Sequence, residues 1–281
     1  SNVGGERFSW RRAVSGGVAT PPLVVAHRGA SAAAPENTLP AFALAVAMGA
    51  VAVELDVRLS ADGVLVVCHD ADLARTTDAA EPVYVHEHPL AVLRRYDAGY
   101  RFSPDGGRTF PFRGRGVRIA TLDDVVDALP PTVGLNIEIP GDPGFDPARL
   151  PVTTALVAYL AGEPCVPDRV IVSSFNHHAI ERFRLAGLGI GTGYLVPPGV
   201  PLSRALDGAV AAGHEAFHPA AETLVGGAGS LIACAHAAGL SVNVWTVDDP
   251  ERARELAHLG VNGIVTNRPN VLTRGQTTSE T

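Results

Sequence analysis

Cysteine is scarce: Cys68, Cys165 and Cys234 are the only three in 281 residues, and no two form a CxxC pair. That argues against a disulfide framework and against a structural zinc site. It fits a reducing compartment, although exported bacterial enzymes also do without disulfides. Positive charge is in deficit, with a net charge of −7 and a pI of 5.8. An acidic chain lacks the footprint of a nucleic-acid binder. A phosphate-bearing small molecule is still compatible, because local charge decides its recognition. No uncharged run is built to cross a bilayer. Thr223 to Val247 is long enough, but Gly226, Gly227, Gly229, Ser230, His236, Gly239, Ser241 and Asn243 fit a loop, a helix, a turn and a strand. No stable membrane insertion is expected. No cleavable signal is visible, and the chain starts at Ser1 rather than Met, so it reads as trimmed or processed. Cytoplasmic residence is favoured over secretion after loss of a signal. No short repeat is evident, and oligomeric state has no signature.

What is present is apolar and regularly punctuated. Hydrophobic residues make up 46% of the chain, enough for a full core. The length suits two average domains or one α/β barrel of about 250 residues. Residues 1–20 read as an N-terminal arm, 21–273 as one barrel domain, and 274–281 as a disordered tail. Leu23–Ala26 is a short apolar strand. Over Pro35–Met48 the residues Leu39, Phe42, Ala43, Val46 and Ala47 recur at helical spacing, and Gly49 ends the run. Strands are expected at Val51–Leu59 and Val64–Cys68, joined by Asp62-Gly63, a strong hairpin signal. A two-residue turn there pairs positions summing to 125, placing Asp56 opposite His69. Residues 71–118 lack a period and read as an insertion over the site with short helices. Thr121 and Asp124 resemble a capping box. Strands beginning near Val133, Val170, Ile190, Glu215, Leu240 and Val261 then alternate with helices, with Gly239 and Gly260 suited to helix C-caps. With the hairpin's return arm set aside, eight strands remain, the number a (β/α)8 TIM barrel needs.

Chemistry gathers at strand ends. Glu54 and Asp56 are two apart in VAVELDV, so both point to one face. Buried carboxylates are costly unless a cation compensates. Glu138 ends another apolar strand. Three oxygen donors without a thiolate suit one hard divalent cation, Ca²⁺ or Mg²⁺; salt bridges or a solvated rim are the alternative. His27 and His69 each follow an apolar strand beside this cluster. A lone histidine there is usually structural, but two can serve as base and acid in one displacement. Arg28 suits a bidentate grip on a phosphate, or a surface salt bridge. Asp70 could orient His69, though a turn cap is the slightly preferred reading. Asn37 and Thr38 are equally suited to capping the first helix and to meeting substrate. His218 and Trp245 line a pocket or simply pack. His86, His88, His177, His178, His214, His236 and His258 have no such setting.

HRGASAAAPENT, ELDVRLSADGVLVVCHD, NIEI, SSF and VNVWTVDDPERARELAHLGVNGIVTNRP together resemble the glycerophosphodiester phosphodiesterases, in order from about residue 23 to 272. The first two motifs carry most of the specificity. The resemblance implies a TIM barrel with an insertion after the His69 strand. It implies an acid–base pair of His27 and His69, a metal held by Glu54, Asp56 and Glu138, and phosphate contact by Arg28. It implies a small-molecule glycerophosphodiester, such as glycerophosphocholine, cleaved to sn-glycerol 3-phosphate and an alcohol. Relatives usually carry Ile-Lys after the last metal-binding glutamate, where this chain has Ile139-Pro140. One expected cation is thus missing, and Arg113, Arg115 or Arg118 are the candidates to replace it. Thr266-Asn267-Arg268-Pro269 stands for the usual Thr-Asp-Arg-Pro, a mild change. Two rival readings are a lysophospholipase D- or sphingomyelinase D-like lipid phosphodiesterase, which needs an apolar tail groove, and a non-catalytic phosphate-ligand binding barrel.

Overall fold

The computed structural model describes residues 7–10, 21–141, 149–163 and 167–273. The expected tail over 274–281 and most of the expected N-terminal arm lie outside the described residues. Nine strands form in chain order: β1 (Leu23–His27), β2 (Ala52–Leu59), β3 (Leu65–Val67), β4 (Gly134–Glu138), β5 (Val170–Ser174), β6 (Gly191–Val196), β7 (Ala216–Pro219), β8 (Ser241–Val244) and β9 (Gly263–Thr266). All but β3 run parallel, and β1 pairs with both β2 and β9, which closes the ring. Helices lie between the strands, giving the (β/α)8 TIM barrel that the alternation predicted.

The alternation of side chains along β2 shows how the barrel is built. Val53, Leu55 and Val57 face outward and are fully buried beneath Phe42, Val125 and Leu156 of the surrounding helices. Burial of each such side chain stabilises the fold by roughly 1.5–3 kcal/mol. Ala52, Glu54 and Asp56 alternate with them and face the interior. At the N-terminal ends of the strands, Phe8 and Trp10 close the barrel from below. The Trp10 indole N–H donates to the Leu135 carbonyl at 3.2 Å, and a Cβ on Gly134 would meet the Phe8 ring at 2.5 Å. The chemistry is left to the opposite end.

Local signals set the helix limits. Thr121 caps Leu122–Ala128 in a full capping box with Asp124. The helix expected from Pro35 begins only at Leu39, because Asn37 adopts a φ of +57° and Thr38 is the N-cap. Gly239 and Gly260 take positive φ just beyond helices Ala228–Ala237 and Pro250–His258. The uncharged run from Thr223 to Val247 resolves into loop, helix and strand. Among the described residues no helix is long and apolar enough to cross a membrane.

The hairpin departs from expectation. Ser60 N–H donates to Val64 O at 3.0 Å, so three residues, Ala61, Asp62 and Gly63, form the loop, with Gly63 at φ +80°. The left-handed third residue produces a one-residue slip. Val57 pairs with Val67 and Leu59 with Leu65, and Asp56 O accepts from Cys68 N–H at 3.0 Å. Cys68, not His69, therefore stands opposite Asp56. The insertion is ordered around this hairpin. Leu73, Val85, Leu93, Ala98, Val117 and Ile119 bury a satellite core against Val66 and Cys68. It contains a short 3-10 helix, Val85–Glu87, and one turn of α-helix, Leu90–Leu93.

Candidate active site

β1 ends at His27, and the next residues turn sharply. Arg28 has φ +55° and Gly29 φ +85°. A side chain at Gly29 would lie 2.7 Å from Ala41, so the turn needs glycine there. The left-handed conformation of Arg28 costs energy. It aims the Arg28 N–H at Glu54 Oε2, 2.9 Å away. The guanidinium donates to Glu36 Oε1 at 3.0 Å and lies 3.3 Å from Asp56 Oδ2. Burial works against its charge, but Asp56, Glu54 and Glu36 outweigh burial and raise its pKa.

Glu54, Asp56 and Glu138 come from the neighbouring strands β2 and β4, with Asp56 in register with Glu138. Ligand oxygens of the three lie within 4.8 Å of one another. Burial, then the Asp56 charge, pushes Glu54 well above the usual carboxylate range. Burial, then Asp56 and Glu54, does the same to Glu138. Glu54 Oε1 is buried without a hydrogen-bond partner. An orphaned acceptor, mutual repulsion and an all-oxygen donor set fit a hard divalent cation. Asn37 is not the helix cap. Its amide donates to Asp56 Oδ2 at 2.7 Å and accepts from Asp56 N–H at 3.3 Å, fixing that carboxylate.

The histidines have different partners. His27 Nδ1 lies 2.7 Å from Asn267 Oδ1, and its Nε2 is 3.9 Å from Glu54 Oε2. Asn267 Nδ2 donates to Asp248 Oδ2 at 2.7 Å, so its oxygen faces His27, which must donate through Nδ1. Burial, then the Arg28 charge, lowers the His27 pKa against the opposing pull of Asn267 and Asp56. His69 Nδ1 lies 2.6 Å from Asp70 Oδ1. The turn-cap reading of Asp70 is therefore corrected: Asp72 caps the turn, accepting from Ala74 N–H at 2.8 Å, while Asp70 orients His69. The slip in the hairpin does not remove His69 from the site, since Arg58 clamps its carbonyl.

His27, Arg28, Glu54, His69 and Glu138 line one cavity of about 190 Å³, with His218 and Trp245 opposite. His218 is fixed inside the barrel. Asn243 Nδ2 donates to its Nε2 at 3.0 Å, and burial pushes its pKa down to about 3. Trp245 donates to the His218 carbonyl at 2.8 Å and meets Phe175 edge-on, 5.2 Å between centroids. Pro140 is buried, and among the described residues Arg28 is the only arginine lining the cavity. The candidate replacements do not reach it. Arg113 stacks on Tyr100 and Phe110, Arg118 donates to the Arg94 carbonyl at 3.1 Å, and Arg115 is absent from the lining.

Sequence reasoning missed a second layer. Glu36, within PENT, accepts from both Arg28 and Arg75. Arg75 bonds Glu36 at 2.8 and 2.6 Å and also holds Asp70. The chain Arg28–Glu36–Arg75–Asp70–His69 thus ties the two sides of the site together. Asn267, read as a mild change, touches His27 directly. PENT was a signal for Glu36, SSF for Phe175 and VNVWTVDDPER for Asp248, whereas Arg75 had none.

Comparison with known proteins gives the family. The model of the Glycerophosphoryl diester phosphodiesterase family matches residues 27–271. A glycerophosphodiester phosphodiesterase from Caldanaerobacter subterraneus subsp. tengcongensis is 33% identical, over 89% of this chain and 96% of that protein. A phosphodiesterase from Oleispira antarctica, solved in complex with the product sn-glycerol-3-phosphate, superimposes with a TM-score of 0.74 at 27% identity, over 92% of this chain and 98% of that one. A glycerophosphodiester phosphodiesterase from Agrobacterium tumefaciens gives a TM-score of 0.70 at 28% identity, over 90% and 99%.

Proposed function

The chain belongs to the glycerophosphoryl diester phosphodiesterase family, and on that premise we propose that it hydrolyses glycerophosphodiesters such as glycerophosphocholine to sn-glycerol 3-phosphate and an alcohol. One observation carries the reading: the carboxylates of Glu54, Asp56 and Glu138 converge within 4.8 Å, and Glu54 and Glu138 line the same cavity as two differently held histidines. The product bound to the Oleispira antarctica neighbour supports the same product here.

Glu54, Asp56 and Glu138 would hold one divalent cation, Ca²⁺ or Mg²⁺. When bound, it supplies Lewis-acid stabilisation to the phosphate oxygens. Arg28 grips a non-bridging oxygen, its guanidinium held by Glu36 and Asp56. His27, neutral and donating through Nδ1, presents the Nε2 lone pair and acts as general base. It deprotonates the substrate's glycerol hydroxyl, which attacks phosphorus and expels the alcohol to give a cyclic intermediate that water then opens to sn-glycerol 3-phosphate with the two histidines in exchanged roles; direct attack by water is the alternative. His69 carries a proton on Nε2 and delivers it to the leaving oxygen, with Asp70 on its far side. His218 and Trp245 shape the wall against which the substrate rests.

The test is release of sn-glycerol 3-phosphate from glycerophosphocholine, with chelator and with metal added back. His27→Ala and His69→Ala should each lose at least a hundredfold in kcat. Near-wild-type turnover by either variant rules out the paired acid–base scheme. Faster turnover of lysophosphatidylcholine would move the assignment to lipid substrates, and metal-independent silence on both would favour a binding barrel.

A further inference from the structure

The chain contains no lysine, so all 22 of its basic side chains are arginines. Seven of them fall between residues 94 and 118, against two carboxylates, Asp97 and Asp105, a local excess of five positive charges in a chain of net charge −7. Among the described residues, Arg94 alone of the seven finds an ion-pair partner, Asp124. Arg95, Arg101, Arg108, Arg113, Arg115 and Arg118 are exposed, and among the described residues none of them meets a carboxylate at ion-pair distance. The two aspartates hold the loops together instead. Asp97 accepts from the N–H groups of Gly99 and Gly114, and Asp105 from those of Arg108 and Thr109.

Backbone contacts gather these arginines. Ala98 N–H donates to Val117 O at 3.0 Å, which lays 94–100 beside 112–118. Arg118 reaches the Arg94 carbonyl, and Arg113 lies over the Tyr100 and Phe110 rings at 4.2 and 3.8 Å. The result is a basic surface interleaved with half-buried aromatic rings. It sits on the insertion, whose core is fused to the hairpin that leads to His69. Patch and cavity mouth therefore belong to the same end of the barrel.

We infer that this arginine surface docks the protein on a phospholipid bilayer bearing anionic headgroups. The exposed arginines outnumber the carboxylates beside them, Asp97, Asp105 and the exposed Asp78, and a bilayer engages one face of the molecule, whereas a polyanion that wraps the chain also meets its acidic remainder. Arginine stems and aromatic rings suit the headgroup layer, and guanidinium groups pair with lipid phosphates. The inference rests on charge placement and not on the phosphodiesterase reading, and vesicle binding is measured without turnover.

The experiment is co-sedimentation of the full chain with vesicles of phosphatidylglycerol and phosphatidylcholine, compared with phosphatidylcholine alone. Binding is expected only to the anionic vesicles, and it should be lost in about 0.5 M salt, where charges are screened. Arg95→Gln/Arg115→Gln/Arg118→Gln should weaken partition roughly a hundredfold, about fivefold per arginine. Arg95→Gln/Arg115→Gln gives an intermediate effect and keeps the test valid should loss of the Arg118 contact disturb folding. Both variants should retain wild-type release of sn-glycerol 3-phosphate from soluble substrate. Equal binding to neutral vesicles, no binding to anionic ones, or unchanged binding by the triple variant overturns the inference. So does tighter binding to a DNA oligonucleotide at the same salt.

Discussion

Replacing Arg75 with alanine should uncouple the two sides of the site while leaving the barrel folded. Arg75 donates two hydrogen bonds to Glu36 and holds Asp70, and its side chain is 50% exposed. Half-exposed ion pairs contribute little to stability, at most about 1 kcal/mol, so Tm should fall by no more than about 4 °C. The kinetic effect should be larger. Without Arg75, among the described residues Glu36 keeps Arg28 and the Asp70 carboxylate keeps His69, so the Arg28 guanidinium and the His69 ring lose their common brace. Displacing a catalytic group by about 1 Å costs on the order of a hundredfold, and lost orienting contacts cost 10- to 100-fold. A 10- to 100-fold fall in kcat is therefore expected, with KM changing less. Arg75→Lys should recover little, because an ammonium cannot reproduce the bidentate grip on Glu36. The assay is steady-state release of sn-glycerol 3-phosphate alongside thermal unfolding. A kcat within about twofold of wild type refutes a positioning role. A large drop in Tm that accounts for the lost activity refutes the claim that Arg75 acts through Glu36 and Asp70.

Titration with Ca²⁺ or Mg²⁺ should raise the Tm of the wild type and not that of Glu54→Gln/Glu138→Gln, because the cation offsets repulsion among the clustered carboxylates; an equal rise in both proteins would disprove the site. Stability should decline with acid through His214, whose burial pushes its pKa down to about 4. The folded value lies below the unfolded one, so the unfolded chain takes up the proton first. Stability is intact above pH ~6.5 and falls by about 2–3 kcal/mol as pH drops to about 4. His214→Gln should flatten that slope in urea unfolding at pH 7 and 4.5, and an unchanged slope counts against the assignment. Gly193→Ala would place a Cβ 2.5 Å from the His218 ring. It should destabilise by about 1–3 kcal/mol and raise KM by displacing the cavity wall, so a variant with wild-type Tm and KM would show that His218 is not held by that contact.

Most of the barrel was legible because its signals are local. Apolar runs of four to eight residues, helix caps and glycines at helix ends each depend on neighbours in sequence, and the nine strands fell where those signals placed them. The hairpin register was misread for a local reason too. Asp62-Gly63 fits a two-residue turn, but Ser60 bonds back to Val64 and takes one more residue into the loop. The carboxylates and histidines that the fold gathers were legible as strand-end residues. Their supports were not. Arg75 reaches Glu36 across 39 positions, and Asn267 reaches His27 across 240, distances that only the closed ring brings together. The missing lysine at Pro140 suggested a compensating arginine nearby, yet the insertion turns its arginines outward onto carbonyls, rings and solvent.

The two histidines look alike in sequence, each ending a short apolar strand, and the folded chain distinguishes them through what holds Nδ1. At His27 the partner is a neutral amide. Asp248 accepts from both the Asn267 side-chain and backbone N–H groups, at 2.7 and 2.8 Å, so the amide cannot turn over. Its oxygen then accepts from Ser31 Oγ at 2.8 Å and from His27. A carboxylate at 267 would face Asp248 at the same short distance and would place a negative charge against His27. Asparagine avoids the first and leaves the imidazole to burial and Arg28, both of which favour the uncharged ring that a base requires. At His69 the partner is a carboxylate shared with Arg75, on a ring that is more exposed than His27. A positive imidazole is compensated there. Under the proposed mechanism, an amide on one side and a carboxylate on the other would set the direction of proton movement, from the nucleophile to His27 and from His69 to the leaving oxygen, with Asn267 as the residue that sets the asymmetry.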